Sequence, residues 1–190
     1  PEKCAELLIV SDGGAAIEYG SFGYVVATLE RVIWKCRGPV FGYPVHSFRA
    51  ESTGIIAVIW FLHKFTQFFG IKPVGSPQLW FGTDSKSLLD RITALKQYKI
   101  EAWWTTIYTW LNIDITQEIF LELEDDEYPF SFVFNHVKAH QVDKIEYARL
   151  PRDAQLNVQA DELATMSLHD QQWDESNTFL PMPNCKNYLV

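Results

Sequence analysis

The sequence predicts an α/β protein built on a layered sheet, with an antiparallel three-stranded meander followed by strands that alternate with helices. Two observations carry this. Apolar runs rich in β-branched and aromatic residues open the chain at 6–12, 21–29 and 31–37, with no helical stretch between them. From residue 48 onward, longer stretches of helical periodicity separate two further apolar runs at 78–83 and 130–137. The composition agrees: 190 residues, 47% hydrophobic and 15% aromatic, can bury one sizeable core and do not describe a disordered chain.

Each element follows in order. ELLIVSD (6–12) is a buried strand ending in an acid, and Gly13-Gly14 is expected to turn the chain. SFGYVVATL and RVIWKCR pair as neighbouring strands, and the Gly- and Pro-rich 38–47 is a loop. Residues 48–69 form a long helix closed by Gly70, so densely apolar that most of its surface must be covered. QLWFGT (78–83) is the fourth strand, and 85–98 is a helix whose Leu88, Ile92 and Leu95 share a face. A further helix is expected over 103–123, then an acidic loop, EDDEYP, and the strand FSFVFNHV. An irregular stretch to 156 precedes a last helix over 157–169. One domain over 1–170 with a C-terminal tail over 171–190 is the expected organisation, without repeats or low-complexity tracts.

The formal net charge of −8 argues against a broad basic nucleic-acid-binding face. Nucleic acid remains open as a substrate, because cations held in an acidic pocket can draw phosphate in. Cys4, Cys36 and Cys185 are odd in number and far apart, which fits free thiols in a reducing compartment and not a zinc–cysteine site. The start lacks the form of a signal peptide, and the run GIIAVIWFL is far shorter than the ~20 residues of a membrane span. An intracellular protein, cytoplasmic or nuclear, is expected. Pro1 and Val190 give no sign of natural termini, so a fragment of something longer is expected.

Four carboxylates stand beside apolar segments: Asp12 at the end of the first strand, Glu51 in the first turn of the long helix, Asp84 after the fourth strand and Asp161 near the start of the last helix. Ionised acids are costly to desolvate there, and clustered they would repel one another unless a cation held them. A hard divalent ion takes such oxygen ligands, and two ions about 3.5–4 Å apart can drive phosphodiester hydrolysis. His140 follows the fifth strand, and an imidazole suits proton movement at a leaving group.

SDGG, SFRAES, FGTDSKSLL, NHVKAHQ and NVQADELA, in that order, resemble the motif set of type-1 ribonuclease H, most of all the ribonuclease H domains of reverse-transcribing elements. The resemblance covers residues 6–169. It implies a five-stranded mixed sheet flanked by helices and an enzyme that cuts the RNA strand of RNA–DNA hybrids with two Mg²⁺ ions, Mn²⁺ being the alternative. It further implies Asp12, Glu51, Asp84 and Asp161 as metal ligands and His140 as the histidine of proton transfer or product release. Gly13, Gly14, Ser47 and Lys86 match positions that touch the hybrid, whose 2′-hydroxyls distinguish RNA. Ser85 would cap the helix after Asp84.

The chain departs from the family between His140 and Asp161, where 141–156 is long, and it lacks an evident basic handle: of 98–118 only Lys99 is basic. Such a domain would depend on an attached reverse-transcriptase polymerase to grip the hybrid. Other readings are an exonuclease or integrase on the same fold, or a catalytically silent module packed on a polymerase. Gly14 stands where related exonucleases carry a second acid, and ADELA fits ribonuclease H better than an integrase. Taken singly, each acid has a plainer role as a turn, helix-dipole or solvated residue. Trp103, Trp104 and Trp110 at helical spacing suit core packing better than base stacking, and His136 lies within the fifth strand.

Overall fold

The computed structural model describes residues 7–16, 19–40, 42, 44–72, 77–97, 112–124, 130–139 and 141–170. Five strands form one sheet: β1 (Leu8–Ala15), β2 (Gly20–Ala27), β3 (Val32–Pro39), β4 (Gln78–Thr83) and β5 (Ser131–His136). The order across the sheet is β3-β2-β1-β4-β5. β1, β2 and β3 are antiparallel neighbours, while β4 lies parallel to both β1 and β5. Four helices accompany them among the described residues: α1 (Ser47–Phe69), α2 (Lys86–Gln97), α3 (Ile113–Leu123) and α4 (Arg152–Leu168). None is long and apolar enough to cross a membrane.

The two faces of the sheet pack differently. Ile55, Ile56 and Ile59 of α1 meet Ile9, Tyr24 and Phe81 in the larger core, which α2 and α3 extend with Leu88, Ile92, Ile115 and Ile119. On the other face α4 lays Leu156 and Ala160 against Leu8, Val10 and Val25. Alternation along β1 assigns Ile9 to α1 and Leu8 and Val10 to α4. Gly23 permits the second packing, because a Cβ there would lie 2.3 Å from the Ala160 carbonyl oxygen.

Most boundaries fall within one to three residues of expectation, and four findings differ. Gly13 and Gly14 do not turn the chain; they continue β1 opposite Phe22 and Ser21. Asp12 therefore lies inside its strand and not at its end. α1 begins at Ser47, with the His46 Nδ1 accepting from the Arg49 N–H at its N-cap, so Glu51 falls just past the first turn. The last helix begins at Arg152, after Pro151, five residues earlier than its periodicity suggests, and Asp161 is mid-helix. Proline lacks a donor and its fixed φ suits a helix entry, so Pro151 starts this helix instead of delaying it. The stretch before it contains two 3₁₀ turns, Gln141–Asp143 and Tyr147–Arg149. Gly70 closes α1 in the left-handed conformation (φ 61°), as expected. Of the expected helix over 103–123, residues 113–123 are helical; Lys99, Trp103, Trp104, Trp110 and the tail over 171–190 lie outside the described residues.

Candidate metal centre

The parallel pairing of β1 and β4 matches Leu8 with Trp80, Ile9 with Phe81 and Val10 with Gly82. The same offset carried two residues further sets Asp12 level with Asp84, which follows the last residue of β4. Two acids thus meet at the carboxyl ends of adjacent parallel strands, where open α/β sheets place their sites.

Glu51 arrives from α1. A Cβ at Gly13 would lie 2.3 Å from the Glu51 nitrogen and 2.4 Å from the Ala50 carbonyl carbon, so only glycine lets the helix sit against the strand here. A second tie fixes the same end of α1: Arg49 is 2% exposed, and its Nη2 donates to Asp114 Oδ1 at 2.7 Å and its Nε to Asn112 Oδ1 at 3.1 Å. Asn112 and Asp114 stand at the start of α3, so one buried guanidinium joins the two helices beside the acid.

The result is compact. Asp12, Glu51 and Asp84 each present a carboxylate oxygen, and these oxygens all lie within 4.8 Å of one another. Asp12 and Glu51 are buried, while Asp84 is half-buried. Burial foremost, then the charge of Asp84, pushes Asp12 up to about 7, against the opposing pull of the Gly13 N–H, which donates to Asp12 Oδ1 at 2.7 Å. Burial, then the charges of Asp12 and Asp84, raises Glu51 well above the usual carboxylate range. Three oxygens this close, two of them on acids that resist ionising, form an all-oxygen donor set suited to a hard divalent cation.

Asp161 stands outside that set, exposed on α4. Its charge still reaches Asp12 and helps raise it. The close approach of α4 explains this: Gly23 admits the Ala160 backbone, and the Ser21 hydroxyl donates to the Ala164 carbonyl at 2.6 Å. Gly23 is also the partner of Asp12 in the β1–β2 ladder.

Gly14, Ser47, Lys86 and Ser85 are the remaining expected residues among those described. Gly14 continues β1 beyond Asp12. Ser47 and Lys86 are exposed at the starts of α1 and α2, and Lys86 Nζ pairs with Asp90 at 2.7 Å. Ser85 holds the N-terminal boundary of α2, its carbonyl accepting from the Leu89 N–H at 3.1 Å. His140 lies outside the described residues. Arg49 and Thr83 near the site were not anticipated, and His136, set aside as a residue of the fifth strand, also reaches it. The His136 Nε2 lies 3.1 Å from the Asp84 carbonyl oxygen, tying β5 to the acid's turn. The only sequence signal for Arg49 and Thr83 is their place beside the acids in SFRAES and GTDS.

No family profile matches the chain, and no curated protein is similar to it in sequence. Solved structures do match in fold. The N-terminal ribonuclease H domain of a Mycobacterium tuberculosis protein aligns with TM-score 0.51 at 17% identity, over 87% of this chain and 94% of that one. A ribonuclease H1 isolated from compost aligns with TM-score 0.55 at 15% identity, over 87% and 96%. A foamy viral protease–reverse transcriptase structure aligns with TM-score 0.55 at 16% identity, over 87% and 95%. The chain has the ribonuclease H fold.

Proposed function

We propose that this chain is an endoribonuclease that hydrolyses the RNA strand of RNA–DNA hybrids, with Asp12, Glu51, Asp84 and Asp161 as its metal ligands. One observation carries the reading: three acids from β1, α1 and the end of β4 converge within 4.8 Å at the carboxyl edge of a ribonuclease H fold. The compost enzyme, also solved in complex with an RNA/DNA hybrid, supports the substrate class. The foamy viral neighbour supports an attached polymerase domain as the natural context.

Asp12, Glu51 and Asp84 would hold Mg²⁺, or Mn²⁺, and Asp161 would add a fourth carboxylate from the exposed side. Two ions so bound would supply an activated water and charge stabilisation at the leaving oxygen. The chain's own residues do the rest. β1 and β4 fix Asp12 and Asp84 on a rigid sheet, and the Gly13 contact and the Arg49 tie fix Glu51. Gly13, Gly14, Ser47 and Lys86 would meet the 2′-hydroxyls and phosphates of the hybrid. His140 would carry the proton to or from the leaving group.

The test is a labelled hybrid incubated with Mg²⁺ beside duplex DNA and duplex RNA. Only the RNA of the hybrid is expected to be cut. Asp84→Asn, which removes a ligand charge at constant volume, is expected to lower cleavage by at least ~10²-fold, more than the loss of a ligand's supporting partner. Cleavage of all three substrates or of none, or near-normal activity of Asp84→Asn, would overturn the reading.

A further inference from the structure

The Thr83 hydroxyl touches the supports of two acids at once. Thr83 is the last residue of β4 and fully buried. Its Oγ1 donates to Glu51 Oε2 at 3.3 Å and accepts from the Ser85 N–H at 3.2 Å. The first bond orients the carboxylate that α1 brings in. The second closes a turn around Asp84, because a Thr hydroxyl bonded to the N–H two residues on fixes the residue between them. The backbone of Thr83 is itself held, its carbonyl accepting from the Val137 N–H at 2.9 Å. A strand-end hydroxyl bonded on both sides thus spans Glu51 and the turn of Asp84.

We infer that Thr83 is a positioning residue of the metal centre, setting the relative orientation of Glu51 and Asp84 through one hydroxyl. The inference rests on the metal-site reading above. Thr83 supplies no ligand to a bound ion and does not touch the substrate. Removing such a supporting partner typically weakens metal affinity by about 10–100-fold, because the ligands must then be ordered at the moment of binding. Thr83→Val keeps the shape and the β-branched fit to a strand end while deleting both hydrogen bonds.

The experiment titrates Mn²⁺ into the full chain by calorimetry for the natural sequence, Thr83→Val and Thr83→Ser, with the melting temperature of each measured in the absence of divalent cation. Thr83→Val is expected to bind Mn²⁺ about 10–100-fold more weakly. Thr83→Ser, which restores the hydroxyl, is expected to recover most of that loss. A purely structural role would lower the cation-free melting temperature of Thr83→Val and leave its Mn²⁺ affinity unchanged. That result, in a natural chain that does bind Mn²⁺, would overturn this inference alone. A natural chain that binds no Mn²⁺ would overturn the metal-site reading and this inference with it. Should Thr83→Val not fold, Thr83→Ala carries the same comparison.

Discussion

The two ends of α1 obey opposite rules. At its start, Arg49, Glu51, Ser52 and Thr53 are buried although all are polar, and Arg49 is paired to Asp114. At its other end Phe68 is 83% and Phe69 61% exposed although both are apolar; Phe69 leans on Phe65 and meets Phe68 edge to face. Hydrophobic burial alone would predict the reverse. Burying polar and charged groups destabilises a fold unless each is bonded. Their concentration where three acids meet marks the end of the helix shaped by chemistry, while toward the other end Phe61 packs on Trp34 of β3 at 5.0 Å and the last turn lies in solvent.

The comparison breaks first at Asp12. Its carboxyl titrates near 7 in the folded chain and near 3.8 unfolded, so the native state binds more protons between these values. The contribution of this site to stability in the absence of divalent cation is therefore full below about pH 4 and is lost as pH rises through 7, by roughly 4 kcal/mol if the whole shift is expressed. Across that range in chelator, the melting temperature of the natural chain should lose ground to that of Asp12→Asn as pH rises, while Glu51 keeps its own pH dependence in both. A saturating divalent cation should remove that loss, because it stabilises the ionised form. Identical pH dependence in the natural chain and Asp12→Asn would contradict the burial of Asp12.

A smaller effect is expected at Asp114. Replacing it by Ala takes the carboxylate from a guanidinium that is 2% exposed, and charged hydrogen bonds of this kind contribute about 2 kcal/mol. Urea unfolding should show that loss, and hybrid cleavage should fall with it, because the end of α1 carrying Glu51 loses a tie. An unchanged midpoint would show that the pair does not hold α1 to α3. The smallest effect belongs to the aromatic end. Phe68→Ser should alter stability by no more than about 0.5 kcal/mol and leave cleavage unchanged, since the side chain lies in solvent. A drop in cleavage there would dissolve the contrast between the two ends.

How far the sequence foretold this arrangement depends on what kind of force shaped each part. β4, the face of Leu88, Ile92 and Leu95, and Gly70 at the end of α1 were legible because periodicity and capping act locally. Gly13 misleads for the opposite reason: its composition says turn, but a distant helix backbone needs its missing Cβ. Pro151 misleads because a proline reads as an interruption when it is a helix entry. Among the acids, ordered motifs named Asp12, Glu51 and Asp84 before any geometry, but not the 4.8 Å that unites them, which comes from the β1–β4 register. Asp161 was named on the same ground, and its separation from the other three follows from the line of α4. Thr83 was invisible because threonine at a strand end is ordinary, and only the position of Glu51 gives its hydroxyl a task.

On this reading Asp12, Glu51 and Asp84 together seat a divalent cation, and anomalous diffraction from crystals grown with Mn²⁺ locates it. Peaks lying between the carboxylates of Asp12, Glu51 and Asp84 are the predicted result. A well-ordered site at saturating Mn²⁺ with no peak there, or peaks only elsewhere on the surface, would contradict it.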